Sequence, residues 1–164
     1  MPSSPRMAVR LTPPRAVGVS VVSASMVVFV SQWEGTVHTP YQDIGGVWTV
    51  CTGNTTNVVR GREYTALECG YLLMKDLEEH GRGVFTCVNV PLSKNEAVAI
   101  VSLTFNIGIN AFCASTLVKM LNNENRQGAA HQFEKWTYAD GHYSRGLANR
   151  RKAEKKLFLT PDAP

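Results

Sequence analysis

The 164-residue chain has no acidic residue before Glu34, and no charge of either sign between Ala16 and Trp33. Its four cysteines never fall in a C-x-x-C pair, and His38, His80, His131 and His142 share no ligand spacing. Both absences argue against a zinc site. No segment repeats, which excludes a solenoid or propeller. No nucleic-acid motif is present and the basic residues are not interleaved with aromatics, so the net charge of +4 does not mark a nucleic-acid binder. Charged residues are sparse at 18%, yet 44% hydrophobic content excludes a disordered tail protein. What remains is one domain with a sizeable core, or two small lobes sharing a helix.

The charge is unevenly spread. Residues 1–33 carry Arg6, Arg10 and Arg15 for a net +3, residues 34–125 carry −3, and residues 126–164 carry +4. The 18 uncharged residues from Ala16 to Trp33 include seven valines and seven small residues. As a helix they would span about 27 Å, just short of a hydrocarbon core of about 30 Å. Three arginines before the stretch and Glu34 after it place the N-terminus in the cytoplasm by the positive-inside rule. The basic leader, the apolar run and the small residues Ser23-Ala24-Ser25 also resemble a cleavable signal peptide. Against cleavage, the apolar run resumes at Met26–Val30. A segment so rich in serine, glycine and alanine is only marginally stable in lipid, so it can enter a membrane and later leave it.

Downstream, Val37 to Thr52 reads as a hairpin or small three-stranded sheet, with Val47–Thr52 as the central strand. Capping boxes at Thr65–Glu68 and Ser93–Glu96 open two helices. The first runs to about His80, and the second is a buried core helix ended by Gly108. Three further helices are expected over 115–122, 126–136 and 145–158, followed by a frayed tail at Pro161–Pro164. The fold class is α+β, mostly helical.

Glu34, Asp43 and Thr49 stand in the spacing E-x8-D-x5-T. Two carboxylates on different elements beside a small sheet can face one cleft, as glycoside hydrolysis requires. One is protonated near apolar groups, here Trp33, and the other is ionised and handles the water. By spacing alone this pattern is weak. The text around it is specific: the run from Trp33 to Thr56, with Tyr41-x-Asp43 and Gly46-Val47-Trp48-Thr49, resembles the phage lysozymes of glycoside hydrolase family 24. The resemblance continues through Thr65–Cys69, Val90-Pro91-Leu92, Phe105–Gly108 and Ser115–Leu117. It closes with Trp136-x-Tyr138 and Gly146-Leu147-x-x-Arg150-Arg151-x-x-Glu154.

That resemblance implies a lysozyme-like fold with a small three-stranded sheet lobe and a larger helical lobe joined by a helix. Glu34 would be the general acid, with Asp43 and Thr49 acting on the water. The substrate would be the β-1,4 bond between N-acetylmuramic acid and N-acetylglucosamine in peptidoglycan. An inverting outcome would set the carboxyls roughly 6.5–9.5 Å apart. Asn106, Arg150 and Trp136 would bind substrate, with no cofactor or metal and a monomeric chain. Two departures stand out: Asn54 replaces the histidine of the family's Gly-His-Thr, and Asp140-Gly141 replaces its Gly-Gly.

The N-terminus resembles the signal-anchor-release (SAR) endolysins of this family. Residues 1–33 would then be a leader and membrane tether, and residues 34–164 the catalytic domain. Export would use the Sec translocon, and a holin or pinholin that depolarises the inner membrane would release the enzyme to the periplasm. Residues from about Ser20 to Trp33 would refold as the first helix. The alternatives are a cleaved-signal secreted lysozyme, a lytic transglycosylase using Glu34 alone, and a non-catalytic wall-binding protein.

In an exported protein Cys51, Cys69, Cys87 and Cys113 allow three disulfide connectivities, against four buried thiols in a reduced one. Cys51–Cys69 and Cys87–Cys113 are expected, the first joining sheet to helix and the second bracketing the core helix. The histidines read as surface residues. The cluster Arg145, Arg150, Arg151, Lys152, Lys155 and Lys156 reads as a solvated helix face or an attractor for the anionic wall.

Overall fold

The computed structural model describes residues 22–163. The basic leader and the uncharged stretch up to Val21 lie outside the described residues. Helix α1 (Ala24–Ser31) starts at Ser23, whose hydroxyl accepts the Met26 amide. It fully buries Met26 and Val30, each contributing about 1.5–3 kcal/mol. Among the described residues no helix is long and apolar enough to cross a membrane.

Strands β1 (Val37–Gln42) and β2 (Trp48–Cys51) pair antiparallel, with Tyr41 opposite Thr49. The sheet is a two-stranded hairpin and not the expected three-stranded one. The third strand is reduced to an isolated bridge between Val50 and Asn54. Cys51 at φ 59° and Gly53 at φ 99° turn the chain back before a strand can propagate.

Helix α2 (Ala66–Cys87) carries the expected Thr65–Glu68 capping box but runs past His80. Gly81 and Gly83 do not end it, because they are packing positions. Gly81 is buried, and a Cβ on Gly83 would meet the Ile109 side chain at 2.5 Å. Helix α3 (Lys94–Ile107) is capped by Ser93 and Glu96 and buries eight residues. Gly108, at φ 87°, separates it from α4 (Ile109–Cys113), a short helix that no periodicity announced.

Helices α5 (Thr116–Asn122) and α6 (Arg126–Gln132) follow, and a 3₁₀ turn at Phe133–Lys135 replaces the end of the expected longer helix. Strands β3 (Tyr138–Ala139) and β4 (His142–Tyr143) form a second, unforeseen hairpin. Its turn places Asp140 and Gly141 at positive φ, a conformation Asp tolerates, so the departure from Gly-Gly is accommodated. Helix α7 (Arg145–Phe158) has the expected bounds.

Helix α3 is the centre of the molecule, with α1, α2, α4 and α7 packed on it. The main core runs from Met26 on α1 to Phe158 on α7. A second, small core holds Val50, Cys51, Tyr64 and Cys69, with Val58 and Leu72 packed against it. Helix α2 contributes Cys69 to the small core and Leu73, Leu77 and Val84 to the large one, which makes it the connector between lobes. Cys51–Cys69 ties β2 to α2, and Cys87–Cys113 ties the end of α2 to α4, in the expected pairing.

The tail is not frayed as far as Asp162. That carboxylate accepts the Lys94 and Asn95 amides at 2.8 and 2.9 Å, capping α3, and those bonds hold it below the usual carboxylate range. Asn95 in turn donates to the carbonyls of Thr160 and Pro161.

Substituting Gly83→Ala should force Ile109 out of place and cost about 1–3 kcal/mol. Thermal unfolding should show a clear drop in Tm. An unchanged Tm would mean the α2–α4 contact has slack.

Candidate active site

Glu34 lies just beyond α1, where the Trp33 amide donates to the Val30 carbonyl and turns the chain outward. Its carboxylate faces α7, and Arg150 Nη1 donates to Glu34 Oε1 at 2.6 Å. Arg150 is only 4% exposed, and its Nε and Nη2 are taken. Nε donates to Glu154 Oε1 at 3.1 Å, and Nη2 to the Ser102 carbonyl at 3.1 Å and the Ser102 hydroxyl at 3.4 Å. The guanidinium is thereby fixed, with one arm left for Glu34.

Glu154, fully buried, is the hub of this cluster. It accepts the Ser102 hydroxyl at 2.7 Å and Arg151 Nη2 at 3.0 Å, and its second oxygen is paired with Arg151 Nε at 2.7 Å. Arg151 Nη1 donates to Asn106 Oδ1 at 3.0 Å. Burial pushes the Glu154 carboxyl up from its usual range, against the pull of both guanidiniums. Burial likewise pushes Arg151 down to about 10, which leaves it a cation at neutral pH.

The other two candidates belong to the hairpin. Asp43 closes its turn: Oδ1 accepts the Val47 amide at 2.8 Å, and its own amide donates to the Val47 carbonyl at 3.0 Å. Thr49 is buried on β2, and its hydroxyl donates to that same carbonyl at 3.1 Å. Asp43 and Thr49 are therefore both anchored on Val47. Asp43 is otherwise exposed.

The sequence residues fall into three places. Glu34, Arg150 and, through Arg151, Asn106 form one cluster. Asp43 and Thr49 form a second. Trp136 lies elsewhere, lining a cavity of about 410 Å³ with Ser115, Leu117, Gln132 and Lys135. A larger cavity of about 800 Å³, between loop 54–64 and α2, includes none of these candidates. Among the described residues no group of His, Cys, Asp and Glu could hold a metal ion.

Some expectations need correcting. Arg150 and Arg151 are core residues, so the basic face of α7 reduces to Arg145, Lys152, Lys155 and Lys156. His38 and His80 are half-buried and bonded, not freely exposed. The first bonds the Tyr64 carbonyl, and the second bonds the Asp76 carbonyl and packs edge-on against Phe105. Ser102 and Glu154 had no assigned role. Glu154 was visible at i+3 and i+4 from the two arginines, the spacing of helical ion pairs. Ser102 gave no signal, being one serine in an apolar helix.

The phage lysozyme family profile matches residues 31–154. The chain is 39% identical over 127 residues to the SAR-endolysin of Enterobacteria phage P21, covering 77% of each chain. It is similar in structure to a P22 lysozyme variant, with a TM-score of 0.79, 34% identity and coverage of 85% of this chain and 98% of the other. The muramidase domain of SpmX from Asticaccaulis excentricus is comparably similar, with a TM-score of 0.78, 34% identity and 85% and 97% coverage.

The Asn54 departure has a measurable counterpart in Asp76. Burial holds the Asp76 carboxyl above its usual range, while the Asn54 amide and His80 pull it down. The folded chain thus takes up this proton more readily than the unfolded chain. Its favourable contribution is present at acid pH and is lost as pH rises through the folded value. Asp76→Asn should therefore be more stable than wild type at pH 7, with the difference vanishing near pH 3. Urea unfolding at the two pH values checks this, and a less stable variant at pH 7 would refute it.

Proposed function

Because the chain belongs to the phage lysozyme family, and is a lysozyme-type hydrolase of the endolysin kind, we propose that it cleaves peptidoglycan between N-acetylmuramic acid and N-acetylglucosamine. Glu34 donates the proton to the glycosidic oxygen. Asp43, helped by Thr49, orients and deprotonates the attacking water. The observation that supports this most is the way the two acids are held. Each sits on a separate element and is anchored through one carboxylate oxygen, Glu34 by Arg150 and Asp43 by the Val47 amide. Arg150 acts through Glu34, and Asn106 through Arg151. Trp136 and its cavity are left for units of the substrate flanking the scissile bond.

Residues 16–33 hold the enzyme in the inner membrane before release, a reading supported by the name of the P21 relative. The fold gives it physical content. Met26 and Val30 are wholly buried in the core of the folded enzyme. While they lie in lipid, the core lacks them and Glu34 is held at the membrane surface, away from Arg150. Release by a depolarising holin or pinholin, after Sec-dependent insertion, lets α1 dock and completes the site in the periplasm. Cleavage at Ser23–Ser25 would remove the cap of α1, which disfavours the cleaved-signal alternative.

Glu34→Gln and Asp43→Asn should each lower the clearing rate of permeabilised Gram-negative cells by about 10²–10⁴-fold. Full activity in Glu34→Gln would sink the assignment. Mass spectrometry of periplasmic fractions should find the chain with its N-terminal residues intact. A mature protein beginning near Met26 would overturn the tether.

A further inference from the structure

Glu154 bonds neither of the acids assigned to the chemistry, yet with Ser102, which bonds it, it holds Arg150 in place. Ser102, at 0% exposure, donates its hydroxyl proton to Glu154 and accepts from Arg150 Nη2. Arg150 Nε and Arg151 Nη2 meet on the same Glu154 oxygen. The buried cluster therefore holds two cations and one anion, an excess of one positive charge, and Glu34 is the group that meets it.

We propose that Glu154 is a positioning residue for the glycosidase reaction: it fixes the Arg150 fork and cancels the charge of Arg151, so that Glu34 faces one net positive charge and not two. This rests on Glu34 being the general acid.

The neighbouring elements leave the balance to α7. Helix α1 carries no charge, and α3 contributes the neutral Ser102 and Asn106. On α2, His80 is committed to the Asp76 carbonyl and the Phe105 ring. The hairpin carries Asp43, fixed at its turn. Arg150, Arg151 and Glu154 are the charges that the buried network ties to Glu34.

The test is the pH profile of kcat/KM on isolated peptidoglycan, with the full chain and with folding checked by circular dichroism. The alkaline limb of that profile reports the free enzyme's general acid. Glu154→Gln adds a net positive charge facing Glu34, favours its ionised form, and should move the limb to lower pH by about one unit. Arg151→Met removes a cation and should move it the other way. In the double variant the two shifts should largely cancel.

Should Glu154→Gln fail to fold, Arg151→Met and the double variant carry the test, since the limb must separate between them. Opposite shifts are a signature that loss of packing cannot produce, because packing loss lowers the whole profile and leaves its limbs in place. Unmoved limbs in folded variants would overturn the proposal. Full activity in Glu34→Gln would instead overturn the reading beneath it, so the two failures are distinguishable.

Discussion

A carboxylate buried between two guanidiniums governs this molecule. Glu154 has no access to water, so its charge is tolerable only because Arg150, Arg151 and Ser102 surround it. Removing one member of such a group is costly, on the order of 3–5 kcal/mol, because the others are left uncompensated. The same requirement dictates geometry. Helix α7 must lie against α3 for Ser102 and Asn106 to reach the arginines, and that packing presents one arm of Arg150 to the end of α1. Core formation and site formation are in this sense a single event.

The small lobe solves a different problem with little material. Its core of Val50, Cys51, Tyr64 and Cys69 is too small to hold a hairpin by burial alone, and two of the four residues are joined by a disulfide. The hairpin carries Asp43 and Thr49, both secured to Val47. Helix α2 carries the connection to the large core, and Gly83 within it admits the Ile109 side chain.

Much of this was legible in the sequence for identifiable reasons. The capping boxes announced the starts of α2 and α3, and Gly108 the end of α3, because those signals are local. The Glu34, Asp43 and Thr49 set stood out through its surrounding text. The end of α2 was misplaced because whether a glycine stops a helix or packs against a neighbour is decided by residues far along the chain. Arg150 and Arg151 read as a solvated face because the partners that bury them, Ser102 and Asn106, lie almost fifty positions away on α3. The 3₁₀ turn and the second hairpin are too short for any periodicity to develop.

Helix α1 has a consequence of another kind. Under the proposed tether, a segment suited first to lipid and then to a protein core carries no charge on any face. The exposed side of α1 after docking is accordingly made of Ala24, Ser25, Val28 and Ser31, polar only through hydroxyls. On an ordinary soluble enzyme such a side can take lysine or glutamate freely. Here each added charge would burden passage through the bilayer. The freed enzyme thus keeps serines where another helix would keep ions, as the residue of its own history.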